Sequence, residues 1–228
     1  MLYNKLNHAA FIMDGNKRWA KENNLEEYSG YKKGVEKLFE IIDYFFELKV
    51  KYLSFYALSS ENYNRGKINI IFNLINSNKK EFLEKVKSQN QIRYKIIGVR
   101  KNLSKNIIEY FDEIEKVTMN NVGLNVNIVF NYGIEGEIKE IFKKFIENNY
   151  NYNDLNYKTI KKLSLLSNQP DPDLLIRTGG YQRLSNFYLI YLSYCELFFT
   201  KTLWPDLKTS EVKKIISKYE KTLRKYGL

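Results

Sequence analysis

Short apolar runs alternate along this chain with longer segments whose apolar residues recur at the period of a helix. Six of these runs have the length and the β-branched or aromatic character of buried strands. They cover residues 9–13, 52–58, 92–99, 124–131, 174–178 and 197–200. Because a helix between two strands brings the chain back parallel to the first strand, the pattern predicts an α/β fold with a largely parallel central sheet flanked by helices.

The segments between the runs predict helices near residues 33–48, 68–87, 104–119, 136–147, 158–165 and 209–225. The first two carry broad apolar faces, and in the first of them Val35, Leu38 and Ile42 fall on one side of the helix. Such a face either packs into an ordinary core or forms the wall of an apolar cleft that accepts a hydrocarbon chain. Periodicity does not separate these two interpretations. The polar segment 148–156 is typical of a surface loop.

The length and composition suit a single domain over residues 1–228, of which 44% are hydrophobic. Cys195 is the only cysteine, so an internal disulfide is excluded and a cytoplasmic, reducing location is expected. No stretch approaches the ~20 apolar residues of a membrane span. Charged and polar residues interrupt the N-terminus, where a secretory signal would be apolar.

The formal net charge of +11 favours an anionic partner. A nucleic acid, an anionic membrane surface and a phosphorylated small molecule all fit that charge. A fourth interpretation is codon bias: an AT-rich genome encodes many lysines, and these lie on solvated helix faces. The basic residues are spread along the chain rather than clustered, which argues against a nucleic acid.

A first polar cluster follows the first predicted strand. The apolar run ends in Asp14, and Gly15, Asn16, Lys17 and Arg18 come directly after it. Open α/β sheets bind ligands at the carboxyl ends of their strands, and helix N-termini attract anions. The cluster therefore suits a phosphate bound together with a metal ion, although a buried strand that ends in a polar turn would look the same.

A second polar cluster follows the second predicted strand, again at its carboxyl end. Its hydroxyls, amide and guanidinium are suitable partners of a diphosphate. The cluster consists of Ser59, Ser60, Glu61, Asn62, Tyr63, Asn64 and Arg65. In the alternative interpretation, Ser59 or Ser60 only caps a short helical turn.

Two further clusters lie near the C-terminus. Arg177 ends a predicted strand and is followed by a Gly-Gly turn, then by Arg183 and Ser185. Two arginines six residues apart, with a serine beside the second, are suited to surround one diphosphate. Glu196 precedes an apolar strand, where a carboxylate is costly unless it is paired or binds a metal. Because Mg²⁺ takes a few carboxylates together with substrate phosphates, we expect Asp14 and Glu196 to share one ion.

Other chemistries fit poorly. His8 is the only histidine and precedes the first strand, so a catalytic triad or a zinc site would depend on one histidine and one cysteine. The chain contains neither the phosphate-binding Gly-x-x-x-x-Gly-Lys-Ser/Thr loop nor the dinucleotide-binding Gly-x-Gly-x-x-Gly motif. A phosphatase of the haloacid dehalogenase type needs an aspartate two residues after the first, and Asn16 stands there.

In order and spacing, these clusters resemble the signatures of the cis-prenyltransferase family, to which undecaprenyl diphosphate synthase belongs. Residues 8–21 resemble its His-x-Ala-x-Ile-Met-Asp-Gly-Asn-x-Arg-Trp-Ala-Lys motif, and residues 58–65 its Ser-Ser-Glu-Asn-Trp-x-Arg block with Tyr63 in place of Trp. Residues 173–206 resemble a third, longer block that contains the Arg-Thr-Gly-Gly turn. The resemblance runs from about residue 8 to residue 227.

This resemblance implies a function as well as a fold. Enzymes of the family condense isopentenyl diphosphate with an allylic diphosphate, usually farnesyl diphosphate, in a Mg²⁺-dependent reaction that gives a long-chain cis-polyprenyl diphosphate. Undecaprenyl diphosphate, a lipid carrier for cell wall synthesis, is one such product. The family fold holds the growing chain in an apolar tunnel between the sheet and two helices, and it works as a homodimer. The alternative is a catalytically weak scaffold subunit that binds prenyl chains or membranes.

The resemblance also implies roles for single residues. Asp14 matches the catalytic carboxylate and, with Glu196, the Mg²⁺ ligands. The substrate-binding positions are matched by Gly15, Asn16, Lys17, Arg18, Trp19, Tyr31, Ser59, Ser60, Glu61, Tyr63, Arg65, Arg177, Arg183, Leu184 and Ser185. Asn62 matches a proposed proton acceptor. Because an amide lacks the basicity for that task, we expect Asn62 to orient a water or a diphosphate oxygen that takes the proton.

The chain departs from the family pattern at several positions. Glu27 and Tyr31 replace the usual arginine and histidine, and Tyr181 stands where the family usually has glutamate. A carboxylate would repel a diphosphate, so we expect Glu27 to point away from the pocket and Tyr31 to donate one hydrogen bond. The aromatic run 188–199 is the expected surface of a homodimer.

Overall fold

The computed structural model describes residues 4–64, 68–101 and 103–223 and contains one sheet of six strands. Neighbouring strands are parallel throughout, in the order β3-β4-β2-β1-β5-β6. The strands are β1 (His8–Ile12), β2 (Tyr52–Ser59), β3 (Ile92–Ile97), β4 (Leu124–Tyr132), β5 (Leu174–Arg177) and β6 (Glu196–Phe199). Each corresponds to one of the predicted apolar runs, and the α/β fold class is confirmed.

Helices cover the sheet, and the six predicted ones are present. The helices of the described residues are α1 (Asn16–Glu22), α2 (Glu27–Glu47), α3 (Ser60–Asn64), α4 (Ile68–Ser88), α5 (Lys105–Thr118), α6 (Ile134–Glu147), α7 (Tyr157–Leu163) and α8 (Thr209–Lys221). The short helices α1 and α3 are not among the six predicted helices, because each is a polar segment of one or two turns, although a short helical turn capped by Ser59 or Ser60 is one interpretation of the second cluster. The polar segment 148–156 is a loop that includes one 3₁₀ turn, Tyr152–Asp154.

The pattern of each strand follows its place in the sheet. Every residue of the central strand β1 is buried, as expected when helices cover both faces. In β3, an edge strand, buried Ile92 and Tyr94 alternate with exposed Arg93 and Lys95. The half-buried edge strand β6 leaves Leu197 exposed. In the described part of the chain, no helix has both the length and the apolar character that a bilayer crossing requires.

Two glycines of α2 let α1 pack closely against it. A Cβ atom at Gly30 would lie 2.2 Å from the backbone oxygen of Asn16, and one at Gly34 would lie 2.3 Å from its side-chain oxygen. The Trp204 indole N–H donates to the carbonyl of Gly34 at 2.8 Å. The start of α1 is therefore fixed against α2 and against the core below it.

The sheet brings three polar clusters to one edge. β1 lies between β2 and β5, and Ile12 is aligned with Tyr56 on one side and with Arg177 on the other. The segments that follow Ile12, Leu58 and Ile176 thus meet at the carboxyl ends of adjacent parallel strands. This is the position at which open α/β sheets bind ligands.

Candidate active site

Asp14 lies at the centre of this edge, between two arginines. Its Oδ2 accepts a hydrogen bond from Arg177 Nη2 at 2.9 Å, and its Oδ1 accepts one from Arg18 Nη2 at 3.1 Å. Thr178 fixes the backbone, since its hydroxyl oxygen accepts from the Asp14 N–H at 3.0 Å and its hydroxyl donates to the Asp14 carbonyl at 2.8 Å. The carboxylate is therefore held in place from both α1 and β5.

Arg177 is the buried cation of the site. It is only 3% exposed, and its Nη1 donates to Ser185 Oγ at 2.8 Å and to the carbonyl of Arg183. Its Nε is buried and has no hydrogen-bond partner among the described residues. A buried guanidinium is held in one position when a carboxylate and several other hydrogen-bond acceptors surround it. Arg177 thus links Asp14 to the loop that contains Arg183 and Ser185.

Tyr181 lies among three arginines of the site. Its ring centroid is 4.1 Å from Cζ of Arg183, 5.1 Å from Cζ of Arg18 and 5.9 Å from Cζ of Arg177. Guanidinium groups at these distances interact favourably with the face of an aromatic ring. The three cations and the ring form an arginine cluster around a single carboxylate.

The expectation that Glu27 points away from the pocket is wrong. Glu27 lines the polar cavity, and its Oε2 lies 2.7 Å from the Lys17 ammonium. The carboxylate turns inward because it has a cation to pair with there, and because the first turn of α2 favours a negative charge. Burial raises the pKa of the neighbouring Tyr31, and the charges of Glu27 and Asp14 raise it further, so its phenol remains protonated.

These groups line a polar cavity of about 580 Å³. Most of the predicted site residues are part of its wall. They are Asp14, Gly15, Asn16, Lys17, Arg18, Tyr31, Ser59, Glu61, Asn62, Arg177, Arg183 and Ser185. The sheet edge has therefore brought together residues from three distant segments of the sequence.

Three predicted residues are directed elsewhere. The Trp19 indole donates to Asp206 at 2.8 Å and so joins α1 to a turn rather than facing the cavity. The Tyr63 ring packs edge-on against Phe72 in the main core, at 6.5 Å. Leu184 packs against a second core on the opposite face of the sheet. Each of them supports the walls of the site without lining the cavity.

The second cluster has both structural and cavity-facing members. The buried Ser59 hydroxyl accepts a hydrogen bond from the backbone N–H of Asn62 at 3.1 Å, so the expected helix cap is present at Ser59. Ser60 packs against the backbone at Gly133, where a Cβ would lie 2.5 Å from its hydroxyl oxygen. Arg65 lies outside the described residues.

The structure does not bring Glu196 and Asp14 together within one chain. Glu196 is aligned with Leu174, and Leu174 with Ala9. Glu196 therefore lies three residues, or about 10 Å along the strand direction, before the level of Ile12. The two strand spacings from β6 to β1 separate the residues by about 10 Å more, across the sheet. Two carboxylates on one Mg²⁺ lie about 4 Å apart. The spacing of residues along the sequence does not reveal this separation, because Glu196 begins its strand whereas Asp14 follows the end of one.

An apolar cavity of about 180 Å³ lies behind the polar one. Its walls come from α2, α4 and α5 and from the sheet strands beneath them, with aromatic rings such as Phe39, Tyr110 and Phe111. The two cavities share the residues Met13, Asn16, Tyr31, Tyr56, Ala57 and Ile71. A charged cavity and an apolar cavity thus lie side by side and share part of their walls.

Tyr56 and Tyr181 are the site residues that the motif analysis did not assign. In the sequence Tyr56 looks like one more core residue of an apolar strand, yet it lines both cavities. Its hydroxyl donates to the carbonyls of Tyr132 at 3.1 Å and Ser185 at 3.3 Å. Burial raises the pKa of Tyr56, so this hydroxyl stays protonated. The only sequence signal for Tyr181 is its departure from the family pattern.

The donor set fits a metal ion that arrives with a phosphorylated substrate. Among the described residues, no three His, Cys, Asp or Glu side chains converge into a ligand group. Asp14 offers one carboxylate, surrounded by arginines. Mg²⁺ commonly binds through one or two carboxylates and completes its shell with substrate phosphates and water.

The sequence profile of the family described as putative undecaprenyl diphosphate synthase matches residues 12–227. The chain belongs to the cis-prenyltransferase family. It is 38% identical to the isoprenyl transferase of Aquifex aeolicus over 96% of this chain and 95% of that protein. It is 34% identical to a tritrans,polycis-undecaprenyl-diphosphate synthase (geranylgeranyl-diphosphate specific) of Thermococcus kodakarensis, over 96% of this chain and 86% of that protein.

Solved structures of this family have the same fold. Lavandulyl diphosphate synthase from Lavandula x intermedia, in complex with dimethylallyl diphosphate, superposes with a TM-score of 0.89 at 30% identity and covers 98% of both chains. A probable undecaprenyl diphosphate synthase from Campylobacter jejuni has a TM-score of 0.83 at 32% identity, over 99% of this chain and 100% of that one. The chain is therefore a transferase of the isoprenyl diphosphate synthase type.

Proposed function

We propose that this chain, acting as one domain over residues 1–228, is a Mg²⁺-dependent cis-prenyltransferase that condenses isopentenyl diphosphate with farnesyl diphosphate. Its product would be a long-chain cis-polyprenyl diphosphate such as undecaprenyl diphosphate. The observation that carries this proposal is the shared wall of the arginine-lined cavity and the apolar one. An allylic diphosphate has a charged head and a hydrocarbon tail, and it needs both environments side by side.

Two sets of side chains in this chain would bind the two diphosphates. Lys17 and Arg18, beside Asp14, would hold the allylic diphosphate, whose tail enters the apolar cavity toward α2 and α4. Arg177, Arg183 and Ser185 would hold isopentenyl diphosphate. Mg²⁺ bound at Asp14 would supply positive charge that stabilises the departing diphosphate.

In the reaction, the allylic C–O bond breaks and the diphosphate leaves with its electron pair. The double bond of isopentenyl diphosphate forms the new C–C bond, and a proton is lost from the adjacent carbon as the new cis double bond forms. Asn62 lines the polar cavity, is exposed, and has its backbone fixed by Ser59. We assign it the orientation of the water or diphosphate oxygen that accepts this proton.

The expected dimer surface 188–199 is only partly exposed, because Tyr188 and Tyr191 are buried in the second core. The homodimer that we propose would form instead through an apolar groove whose wall includes Ile190 of that run. This groove has a volume of about 430 Å³ and is lined by residues of α6, α7 and the loop between them. Phe142, Ile146 and Tyr152 are exposed beside it, and Leu197 is exposed on the edge strand β6. Exposed apolar surface of this extent marks an interaction site. Glu196, on the same edge strand, would reach a metal ion only in a partner's site.

The cytoplasmic face of an anionic membrane is the proposed place of action, because the product is a lipid and the chain has a net charge of +11. The contact would be peripheral. Binding to anionic vesicles is therefore expected to weaken as the salt concentration rises.

Incorporation of labelled isopentenyl diphosphate into polyprenyl product, with farnesyl diphosphate and Mg²⁺, tests the proposal. We expect Asp14→Ala to abolish product while circular dichroism shows that the fold is retained. Asp112→Ala is the matched control, since Asp112 pairs with Arg100 on the surface of α5, and it is expected to remain active. Absence of product from the wild type with every allylic primer would instead support the scaffold subunit.

A second experiment tests the role of Asn62. If this residue orients the proton acceptor, Asn62→Asp retains little activity at any pH, because the carboxylate repels the diphosphate. Strong activity of that variant, with a carboxylate-like pKa in its pH–rate profile, would show that a base acts at this position.

A further inference from the structure

Tyr181 has no task in the proposed chemistry, yet its ring contacts all three arginines of the arginine cluster. It is 45% exposed and lines the polar cavity. Two of the arginines are already fixed, because Arg18 and Arg177 each bond to an oxygen of Asp14. The third, Arg183, is exposed and lies nearest to the ring.

We propose that Tyr181 is a positioning residue that holds the Arg183 guanidinium over the diphosphate cavity. This inference rests on the proposed function, in which Arg183 binds isopentenyl diphosphate. Within the described part of the chain, the Arg183 guanidinium has no carboxylate or hydroxyl partner. Without the ring, a long exposed side chain would sample many rotamers, and ordering it would oppose substrate binding.

A ring positions an arginine differently from a carboxylate. A carboxylate binds guanidinium through its N–H groups, and those are the groups that a diphosphate needs. An aromatic face instead contacts the plane of the guanidinium and leaves the N–H groups at its edge available. Tyr181 therefore restricts Arg183 without consuming the donors that would recognise substrate.

The backbone aims Tyr181 at the cluster. Gly179 and Gly180 have φ angles of +82° and +83°, in the left-handed region that favours glycine. Their N–H groups donate to the carbonyls of Thr202 and Thr200, both at 2.8 Å. A Cβ at Gly179 would lie 2.4 Å from Arg18 Nη2. The turn is thus fixed by the strand that follows, and it returns Tyr181 over the carboxyl edge of the sheet.

Steady-state kinetics of Tyr181→Phe and Tyr181→Leu test this inference. Phenylalanine keeps the ring, so we expect the KM for isopentenyl diphosphate to stay within about twofold of the wild type. Leucine removes it, so we expect that KM to rise about two- to fivefold, as the loss of one exposed cation–π contact implies. We expect kcat and the melting temperature to change little.

Tyr150→Leu is the matched control, because the Tyr150 ring lies 5.7 Å from the Lys162 ammonium, far in the sequence from the site clusters. It is expected to leave the KM unchanged. If Tyr181→Leu lowers the KM, the ring occupies the place of the diphosphate and the inference is overturned. An equal rise of KM for Tyr181→Phe would show that the hydroxyl acts, and would overturn it as well.

A double-mutant cycle separates positioning from an independent effect. If Tyr181 acts through Arg183, then Tyr181→Leu adds no further rise in KM once Arg183→Ala is present. Multiplying effects of the two substitutions would overturn the inference.

Calorimetric binding of inorganic diphosphate to the same proteins distinguishes this inference from the proposed function. One outcome is that the wild type binds diphosphate but forms no product, and that Tyr181→Leu binds diphosphate more weakly than the wild type. This outcome would refute the proposed function and retain the positioning role. Equal binding to the wild type and to Tyr181→Leu would overturn the positioning role alone. A wild type that does not bind diphosphate would overturn both.

Discussion

His8 makes the stability of this protein sensitive to mild acid. It is the only histidine and begins β1, where it is fully buried. Its Nδ1 lies 2.8 Å from the Pro170 carbonyl and its Nε2 lies 2.8 Å from the Ser54 hydroxyl. Because a carbonyl only accepts, Nδ1 carries the proton and Nε2 accepts from Ser54. The imidazole is thus neutral and satisfied on both sides.

Burial lowers the pKa of His8 to about 4, against the opposing effects of the Pro170 carbonyl and the Asp173 carboxylate. The unfolded chain has the ordinary value of 6.5. Between these values the unfolded state binds more protons, so the free energy of unfolding falls as the pH falls from 6.5 to 4 and is highest above 6.5. At about 1.4 kcal/mol per pH unit, the loss amounts to about 3 kcal/mol, a large part of the stability of a typical domain.

Urea denaturation at several pH values, for the wild type and for His8→Gln, measures this loss. Glutamine keeps a polar side chain but does not titrate. The difference in the free energy of unfolding between the two proteins is therefore expected to change by about 3 kcal/mol from pH 6.5 to pH 4. Carboxylates that titrate in the same range contribute to both proteins and cancel in the difference.

NMR gives an independent measurement, since a single histidine yields a single set of imidazole signals. We expect those signals to titrate near pH 4 in the folded protein. Parallel stability curves for the two proteins, or a titration near pH 6.5 in the folded state, would refute the reasoning.

Three further predictions concern the site and the walls around it. Glu27→Gln removes the charge that pairs with Lys17. We expect the KM for farnesyl diphosphate to fall up to about fivefold, because an exposed ion pair contributes up to about 1 kcal/mol. An unchanged KM would show that Lys17 does not bind this substrate. Gly34→Ala places a Cβ 2.3 Å from the Asn16 side-chain oxygen. Chemical denaturation is expected to show that the free energy of unfolding falls by about 1–3 kcal/mol. An unchanged free energy of unfolding would mean that α1 moves freely away from α2. Mixed dimers of Asp14→Ala and Glu196→Gln chains are expected to regain activity that neither variant has alone. In such a dimer one site combines the intact Asp14 of one chain with the intact Glu196 of the other. Mixed dimers that stay inactive would exclude a metal site shared between subunits.

The strands and the polar clusters of this protein are predictable from local sequence. An apolar run such as residues 124–131 contains enough β-branched and aromatic residues to identify a buried strand, and a polar cluster after such a run marks its carboxyl end. Because parallel strands end at one edge, local sequence is enough to predict that Asp14, Ser59 and Arg177 lie along the same edge. The sheet order then determines which of them are neighbours.

Other features depend on contacts that no local pattern records. Glu27 turns inward because Lys17 lies opposite, and Trp19 turns outward because Asp206 accepts its N–H. The position of Glu196 depends on the register of an edge strand only four residues long. Short polar helices such as α1 and α3 have too few apolar residues to show a period, so their helical form depends on packing.

The helix α2 serves both cavities. Glu27 and Tyr31, in its first turns, line the charged cavity, and Val35, Leu38 and Phe39, one and two turns later, line the apolar one. Because α2 is one continuous helix, an outward shift of the whole helix that widens the apolar cavity also displaces Glu27 and Tyr31 in the charged one. We therefore expect substitutions that widen the apolar cavity by displacing α2 to change the affinity of the charged cavity for a diphosphate as well.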